Sequence, residues 1–270
     1  MIERDNVVVA GDWHANTAWA MHVVAKAADA GCDVILHLGD FGIWPGQFGA
    51  TYRRKVEVAC ARHGVTVLVT PGNHEDWSRI ERHELVDRGD GWGAVAWFTE
   101  HVGILPRGHR FTLAGADGAA RTFVSLGGAP STDVHYRTPW VSWWPGEAIT
   151  PGDVERVAAG GAADYMLAHD TPEPAAPLVG DVWLSRRVDL PADVERYAAE
   201  GRRLLTRAFD AVRPRVLLHG HYHVRDTGTV TGDAAGDPFT CRIESLDMDG
   251  TDGNAVVFDV AAGTVAALPV

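Results

Sequence analysis

The chain has 270 residues, 46% of them hydrophobic and 22% charged, with a formal net charge of −12; this composition excludes a disordered or fibrous polymer, and the length suits one large core, so a single domain over 1–270 is expected. No apolar run reaches the roughly eighteen residues that a spanning helix needs, and the acidic balance argues against an extended nucleic-acid surface while leaving room for a small anionic substrate met by metal ions. Residues 1–6 lead directly into a short apolar run without the features of a signal peptide, and Cys32, Cys60 and Cys241 form no CxxC pair, so reduced thiols and a cytoplasmic protein are expected.

In chain order, the β-branched run 7–10 ends in Gly11-Asp12, and Asn16 offers an N-cap to an apolar-periodic stretch that stops at Gly31. That reads as strand, loop, helix, and the unit recurs. Run 34–38 ends in Gly39-Asp40, a helical stretch fills 47–62, and run 65–69 leads into Pro71-Gly72-Asn73-His74. Such alternation predicts βαβ crossovers around a parallel or mixed sheet. From 94 to 127, short β-rich runs and the turn at 115–118 predict antiparallel hairpins. A short helix from 151, a strand over 165–168 ending at His169, a longer helix over 191–212 and a strand over 216–218 ending at Gly220-His221 follow; the tail adds strands at 242–246 and 256–260.

Five strand exits thus carry Asp12 with His14, Asp40, Asn73 with His74, His169, and His221 with His223. In α/β sheets ligands bind beyond the carboxyl ends of strands, so these residues are expected to converge in one crevice. Asp12 and His14, like His221 and His223, are two apart, a spacing that puts both side chains on one side of an extended segment. Oxygen and imidazole donors without thiolate suit Mn²⁺, Fe or Zn²⁺. The donors outnumber what one ion usually takes from a protein. Two ions about 3.5–4 Å apart and sharing a carboxylate clamp both oxygens of an in-line phosphoryl displacement, so phosphoester hydrolysis is the expected chemistry.

The ordered blocks Gly-Asp-x-His, Gly-Asp, Gly-Asn-His-Glu, His and Gly-His-x-His, from residue 11 to residue 223, resemble the calcineurin-like metallophosphoesterase superfamily. The resemblance implies an αββα sandwich with mixed sheets and a dimetal site at the strand ends, with Mn²⁺ the favoured ion. It further implies that Asp12, His14 and His223 hold one ion, that Asn73, His169 and His221 hold the other, that Asp40 bridges them, and that His74 is the general acid. Glu75 or Asp170 would orient ligands from behind. The phosphoprotein-phosphatase branch normally places a carboxylate and then an arginine shortly after the bridging Asp, where this chain has Ile43 and Trp44. That departure favours a phosphodiesterase acting on a cyclic nucleotide or another small nucleotide diester. The alternatives are a phosphomonoesterase or protein phosphatase, and a catalytically idle interaction module on the same fold.

Two glycines lead from a strand into a polar stretch with Asp133, His135 and Arg137, either a solvated hairpin loop or an active-site loop in which these residues contact substrate and Arg137 replaces the missing arginine. Trp140, Trp143 and Trp144 are expected to pack in the core or a lid, with a nucleobase wall as the competing reading. His22, His37, His63, His83, His101, His109 and His219 are expected to be structural, and 247–253 a hairpin turn rather than a calcium loop.

Overall fold

Strands and helices alternate through the first half of the computed structural model, which describes residues 2–234 and 236–269. In chain order these are β1 (Ile2–Glu3), β2 (Asn6–Ala10), α1 (Thr17–Asp29), β3 (Val34–His37), α2 (Gly46–His63), β4 (Thr66–Val69) and α3 (Trp77–Arg82). Five strands follow: β5 (Val86–Asp87), β6 (Ala94–Trp97), β7 (Val102–Ile104), β8 (Arg110–Ala114) and β9 (Ala120–Leu126). After a long loop come α4 (Pro151–Ala159), β10 (Tyr165–Ala168), α5 (Pro177–Arg187), α6 (Ala192–Val212) and β11 (Val216–His219). The chain closes with β12 (Asp226–Ala234), β13 (Asp237–Ser245), β14 (Ala255–Asp259) and β15 (Thr264–Ala267).

The strands form two sheets, in the orders β15-β14-β2-β3-β4-β7-β6-β5 and β1-β8-β9-β10-β11-β13-β12. Each has a parallel centre, β2 to β4 with β7 in one and β9 to β11 with β13 in the other, flanked by antiparallel strands, with β1 added parallel to β8 at one edge. Both faces of the central strands are buried, as parallel sheets require. Consecutive valines show how. Val7 and Val9 join Leu36, Leu68, Phe123, Tyr165, Leu218 and Phe258 between the sheets, whereas Val8 turns outward with Ile35 and Val67 toward residues of α1 and α2. On the other outer face Val124, Met166, Leu217 and Ile243 pack with residues of α4 and α6. The result is an αββα sandwich.

Helix starts follow local chemistry. The Asn16 side chain accepts the Trp19 N–H at 3.2 Å, and Thr150 with Asp153 forms a reciprocal capping box that starts α4. The hairpins expected over 94–127 are present, but they belong to different sheets: β6–β7 extends the first, and β8–β9 begins the second. Two helices escape the sequence pattern. α3 is only one and a half turns long, and α5 is started by a residue far away in sequence, since the Asp226 carboxylate accepts the Leu178 and Val179 N–H groups at 2.7 and 3.2 Å.

Candidate metal centre

The carboxyl ends of β2, β3 and β4 from one sheet and of β10 and β11 from the other meet at one rim of the sandwich, and the side chains read from the sequence sit there. The two-residue spacing predicts a shared face through extended backbone; the structure corrects the reason. Asp12 and His14 have φ of 37° and 45°, Asp40 52°, His221 and His223 71° and 56°. These residues occupy the left-handed region, uncommon for non-glycine residues, so sharp turns at the strand ends aim the side chains inward. Gly39 makes the closest passage possible: its φ is +103°, and a Cβ there would lie 2.7 Å from the Gly72 Cα and against the His169 ring.

Asp12, His14, Asp40 and His223 can each offer one donor atom such that all lie within 4.8 Å of one another. His14 Nε2 lies 3.6 Å from Asp40 Oδ2, and His223 Nε2 lies 3.6 Å from Asp12 Oδ1. Around the other Asp40 oxygen, His169 Nε2 is 3.4 Å from Oδ1 and 3.0 Å from Asn73 Oδ1, with the His221 ring 5.0 Å from that of His169. The two oxygens of Asp40 therefore face two different donor sets. Separations of 3.4–3.6 Å are long for hydrogen bonds. They match the spacing of donors that share an ion at about 2.1 Å.

Second partners fix the orientation of these donors. His169 Nδ1 donates to the Leu38 carbonyl at 2.7 Å, which turns the Nε2 lone pair toward Asn73 Oδ1 and Asp40. Facing lone pairs at 3.0 Å repel unless a proton or a cation lies between them, and this is the observation that fits a metal. Burial by itself disfavours charge on these rings, yet the Asp40 carboxylate outweighs it and pushes His14 up to about 9 and His169 up to about 10. The site is built to hold positive charge.

Neither Glu75 nor Asp170, the two expected orienting acids, touches a ligand imidazole. Glu75 instead accepts the N–H groups of Phe41, Gly42 and Gly72 and so ties the exits of β3 and β4 together. Asp170 accepts from the Thr171 N–H and the Tyr222 hydroxyl. The acid that orients His14 is Asp249, 3.1 Å from its Nδ1, also held by Asn16 at 2.7 Å. It lies in the 247–253 turn that sequence reading set aside; its only signal was an acid-rich turn after a strand. A second unforeseen chain of bonds orients Asn73: its amide donates to Ser131 Oγ at 2.9 Å, and that hydroxyl donates to Glu147 at 2.7 Å.

His74 stands beside this centre, its backbone N–H donating to Asp40 Oδ1 at 2.9 Å. Asn73 Nδ2 and Arg137 Nη2 each lie 3.3 Å from its Nε2, two donors that make this nitrogen an acceptor and the ring neutral. Burial lowers its tendency to charge, and the Arg137 guanidinium adds to that against the opposing pull of Asp40. Asp133 clamps Arg137 with two bonds of 2.6 Å. His135 is not brought to the centre: its Nε2 pairs with Asp193 at 2.8 Å on the exposed surface, so the expectation of substrate contact does not fit its placement.

Trp44, in the place of the absent phosphatase residues, donates its indole N–H to the His74 carbonyl at 2.8 Å. With Pro45, Phe48, Arg137, Val141, Ser142 and Trp144 it lines a pocket of about 360 Å³ that also reaches His74. Of the three clustered tryptophans Trp144 is buried in this wall, Trp140 is exposed, and Trp143 lines a separate hollow with His135. His219 is fully buried, and burial pushes its ring down to about 4, as a packed neutral residue. His83, His101 and His109 bond to Trp97 O, Glu57 and Trp92 O.

The family described as calcineurin-like phosphoesterase matches residues 6–225. No curated protein sequence matches the chain. Among solved structures, the protein TT1561 of Thermus thermophilus is similar at a TM-score of 0.50 and 10% identity over 97% of both chains. A dimetal phosphatase from Danio rerio gives 0.50 and 10% over 94% of this chain and 92% of its own. A third solved chain gives 0.56 and 12% over 97% and 98%. At these identities the likeness is one of fold. The family match spans every strand exit that carries a donor, and by it the chain belongs to the calcineurin-like phosphoesterases, a family of phosphoester hydrolases.

Proposed function

We propose that the protein is a dimetal-dependent phosphodiesterase acting on a small nucleotide diester, with Mn²⁺ as the favoured ion. The observation that carries this reading is the position of His74 as a shared wall between the donor-lined crevice and the aromatic pocket of Trp44, Phe48 and Trp144. A phosphorus held at the donors then has its ester group directed across His74 into a pocket that suits a nucleobase or aryl group. Two divalent ions, when bound, supply the positive charge that polarises the phosphoester and offsets the charge of the transition state.

In this reading Asp12, His14 and His223 would hold one ion, Asn73, His169 and His221 the other, and Asp40 would be shared between them. His74 Nε2 faces the leaving oxygen. It is neutral without substrate; an arriving phosphoester anion favours its protonated form, with the proton taken from solvent, and as a water oxygen bonds to phosphorus and the ester P–O bond breaks the ring would pass that proton to the leaving oxygen. Arg137, held flat by Asp133 and lining the aromatic pocket, would meet the substrate on that side of His74 rather than in the donor crevice. With Mn²⁺ present, bis-p-nitrophenyl phosphate should be turned over faster than p-nitrophenyl phosphate, and Trp44→Ala should raise KM for the diester about tenfold. Faster turnover of the monoester would instead make the protein a phosphomonoesterase.

A further inference from the structure

Arg202, on α6, is 7% exposed and lies with its guanidinium carbon 3.6 Å above the Trp183 ring of α5. Among the described residues its Nε has no hydrogen-bond partner and no carboxylate lies within 4.0 Å of the guanidinium. A second buried arginine shows what a structural role looks like here. Arg107, stacked on Trp77 at 3.9 Å, gives its N–H groups to the carbonyls of Gly127, Gly146 and Glu147 and reaches Asp153 at 3.4 Å. Its charge is answered at contact distance within the fold, whereas Arg202 has only the Trp183 ring and the more distant Asp170 carboxylate. Asp170, the nearby acid, lines the same cavity and accepts the Thr171 N–H and the Tyr222 hydroxyl on Oδ1.

Arg202 lines the same cavity of about 190 Å³ as Asp40, Asn73, His74, His221 and His223. Arg186 joins it on that wall, its Nη2 directed at the Tyr222 carbonyl at 3.5 Å. Arg137 does not, since it faces the aromatic pocket across His74. The crevice thus joins the candidate ion-holding donors to a guanidinium that no carboxylate meets at contact distance. Stacking on indole leaves the planar edge of a guanidinium free, and that edge matches an oxyanion bidentately. Burying an unpaired cation is costly, so a site of this kind is completed by an anion.

We infer that Arg202, backed by Trp183 and assisted by Arg186, is a subsite for a second oxyanion on the substrate, a phosphate or a carboxylate a short distance from the scissile phosphorus. The inference rests on the phosphoester reading of the metal centre and narrows it: the preferred diester carries an additional anionic group, and a compound lacking one leaves Arg202 unpaired. Specificity then comes from a buried partner left unsatisfied by the wrong substrate.

The test measures affinity of the metal-loaded protein by calorimetry for non-hydrolysable anions. Methylphosphonate reports the metal centre alone; phosphonoacetate and 3-phosphonopropionate add a carboxylate at two reaches, and methylenediphosphonate adds a second phosphonate. At least one of the three should bind about tenfold more tightly than methylphosphonate, and which one does so distinguishes carboxylate from phosphate. Arg202→Met should cut this advantage below about twofold. Arg202→Lys, which keeps the charge and the stem but not the fork, should retain only part of it and carries the test if the methionine variant does not fold. An advantage that survives in both variants, or its absence in the parent, overturns the subsite while leaving the metal centre standing. Failure of methylphosphonate itself to bind overturns the phosphoester reading and this inference with it.

Discussion

Glu147 holds Asn73 in place from two bonds away, and its own environment makes that support depend on pH. It accepts the Ser131 N–H and hydroxyl and the Tyr197 hydroxyl, and burial pushes its carboxyl up to about 7 despite these bonds. A carboxyl raised above its unfolded value stabilises the fold fully below the unfolded pKa, near 4.5, and loses that contribution as pH rises through about 7. The parent should therefore lose on the order of 2–3 kcal/mol from this group between pH 5 and 8. Glu147→Gln, which stays neutral and keeps one acceptor oxygen for the Ser131 N–H and Tyr197 hydroxyl while its amide can donate to a rotated Ser131 hydroxyl, should flatten that part of the melting-midpoint profile; an unchanged slope would show that Glu147 does not titrate there. Asp249 makes a different kind of support. Loss of a partner behind a ligating imidazole typically weakens metal affinity about 10- to 100-fold, and Asp249→Ala should do so in a competition titration with a chromophoric chelator.

At the scale of elements, the centre depends on how closely the strand-exit turns approach one another. Gly39→Ala would place a methyl against Gly72 and the His169 ring in a backbone conformation that L-residues avoid, so on the order of 3 kcal/mol of stability should be lost together with metal binding. Gly64, the left-handed C-cap of α2, has φ of 66° and nothing near its Cβ position, so Gly64→Ala should cost only about 1 kcal/mol and leave metal binding intact. Chemical denaturation with metal titration separates the two. Equal losses would mean that the crowding at Gly39 relaxes without consequence.

For the whole molecule, the donors come from both sheets: Asp12, His14, Asp40 and Asn73 follow β2, β3 and β4, while His169, His221 and His223 follow β10 and β11. Two divalent ions would therefore join the two layers at their rim. With free metal at 100 times its dissociation constant, linkage gives about 2.7 kcal/mol of stabilisation, which chelation should remove as a fall of roughly 5–10 °C in Tm. Because the sheets share one apolar interior around Phe123, Tyr165 and Phe258, the transition should move as a whole. Two separate transitions after chelation would show that the layers unfold independently.

The strands, the long helices and the donors at the strand exits are legible in the sequence because each rests on local chemistry: β-branched runs, the Asn16 and Thr150 caps, and glycines ahead of Asp12, Asp40 and His221. That Asp12 and His14 act together is also legible, although the left-handed turns that aim them replace the extended backbone expected from spacing. The two-sheet sandwich followed from the family resemblance, but tertiary structure alone decided which hairpin over 94–127 joins which sheet, since their registers are not specified by periodicity. It alone made α5 a helix, capped by Asp226, and it alone chose Asp249 over Glu75 and Asp170 behind a ligand. It moved His135 out to Asp193, brought Arg137 to His74, and left the buried Arg202 Nε without a hydrogen-bond partner. Backbone propensity and donor type act over a few residues and can be read along the chain; which side chain lies behind another depends on packing between segments far apart in sequence, and only the folded molecule fixes that.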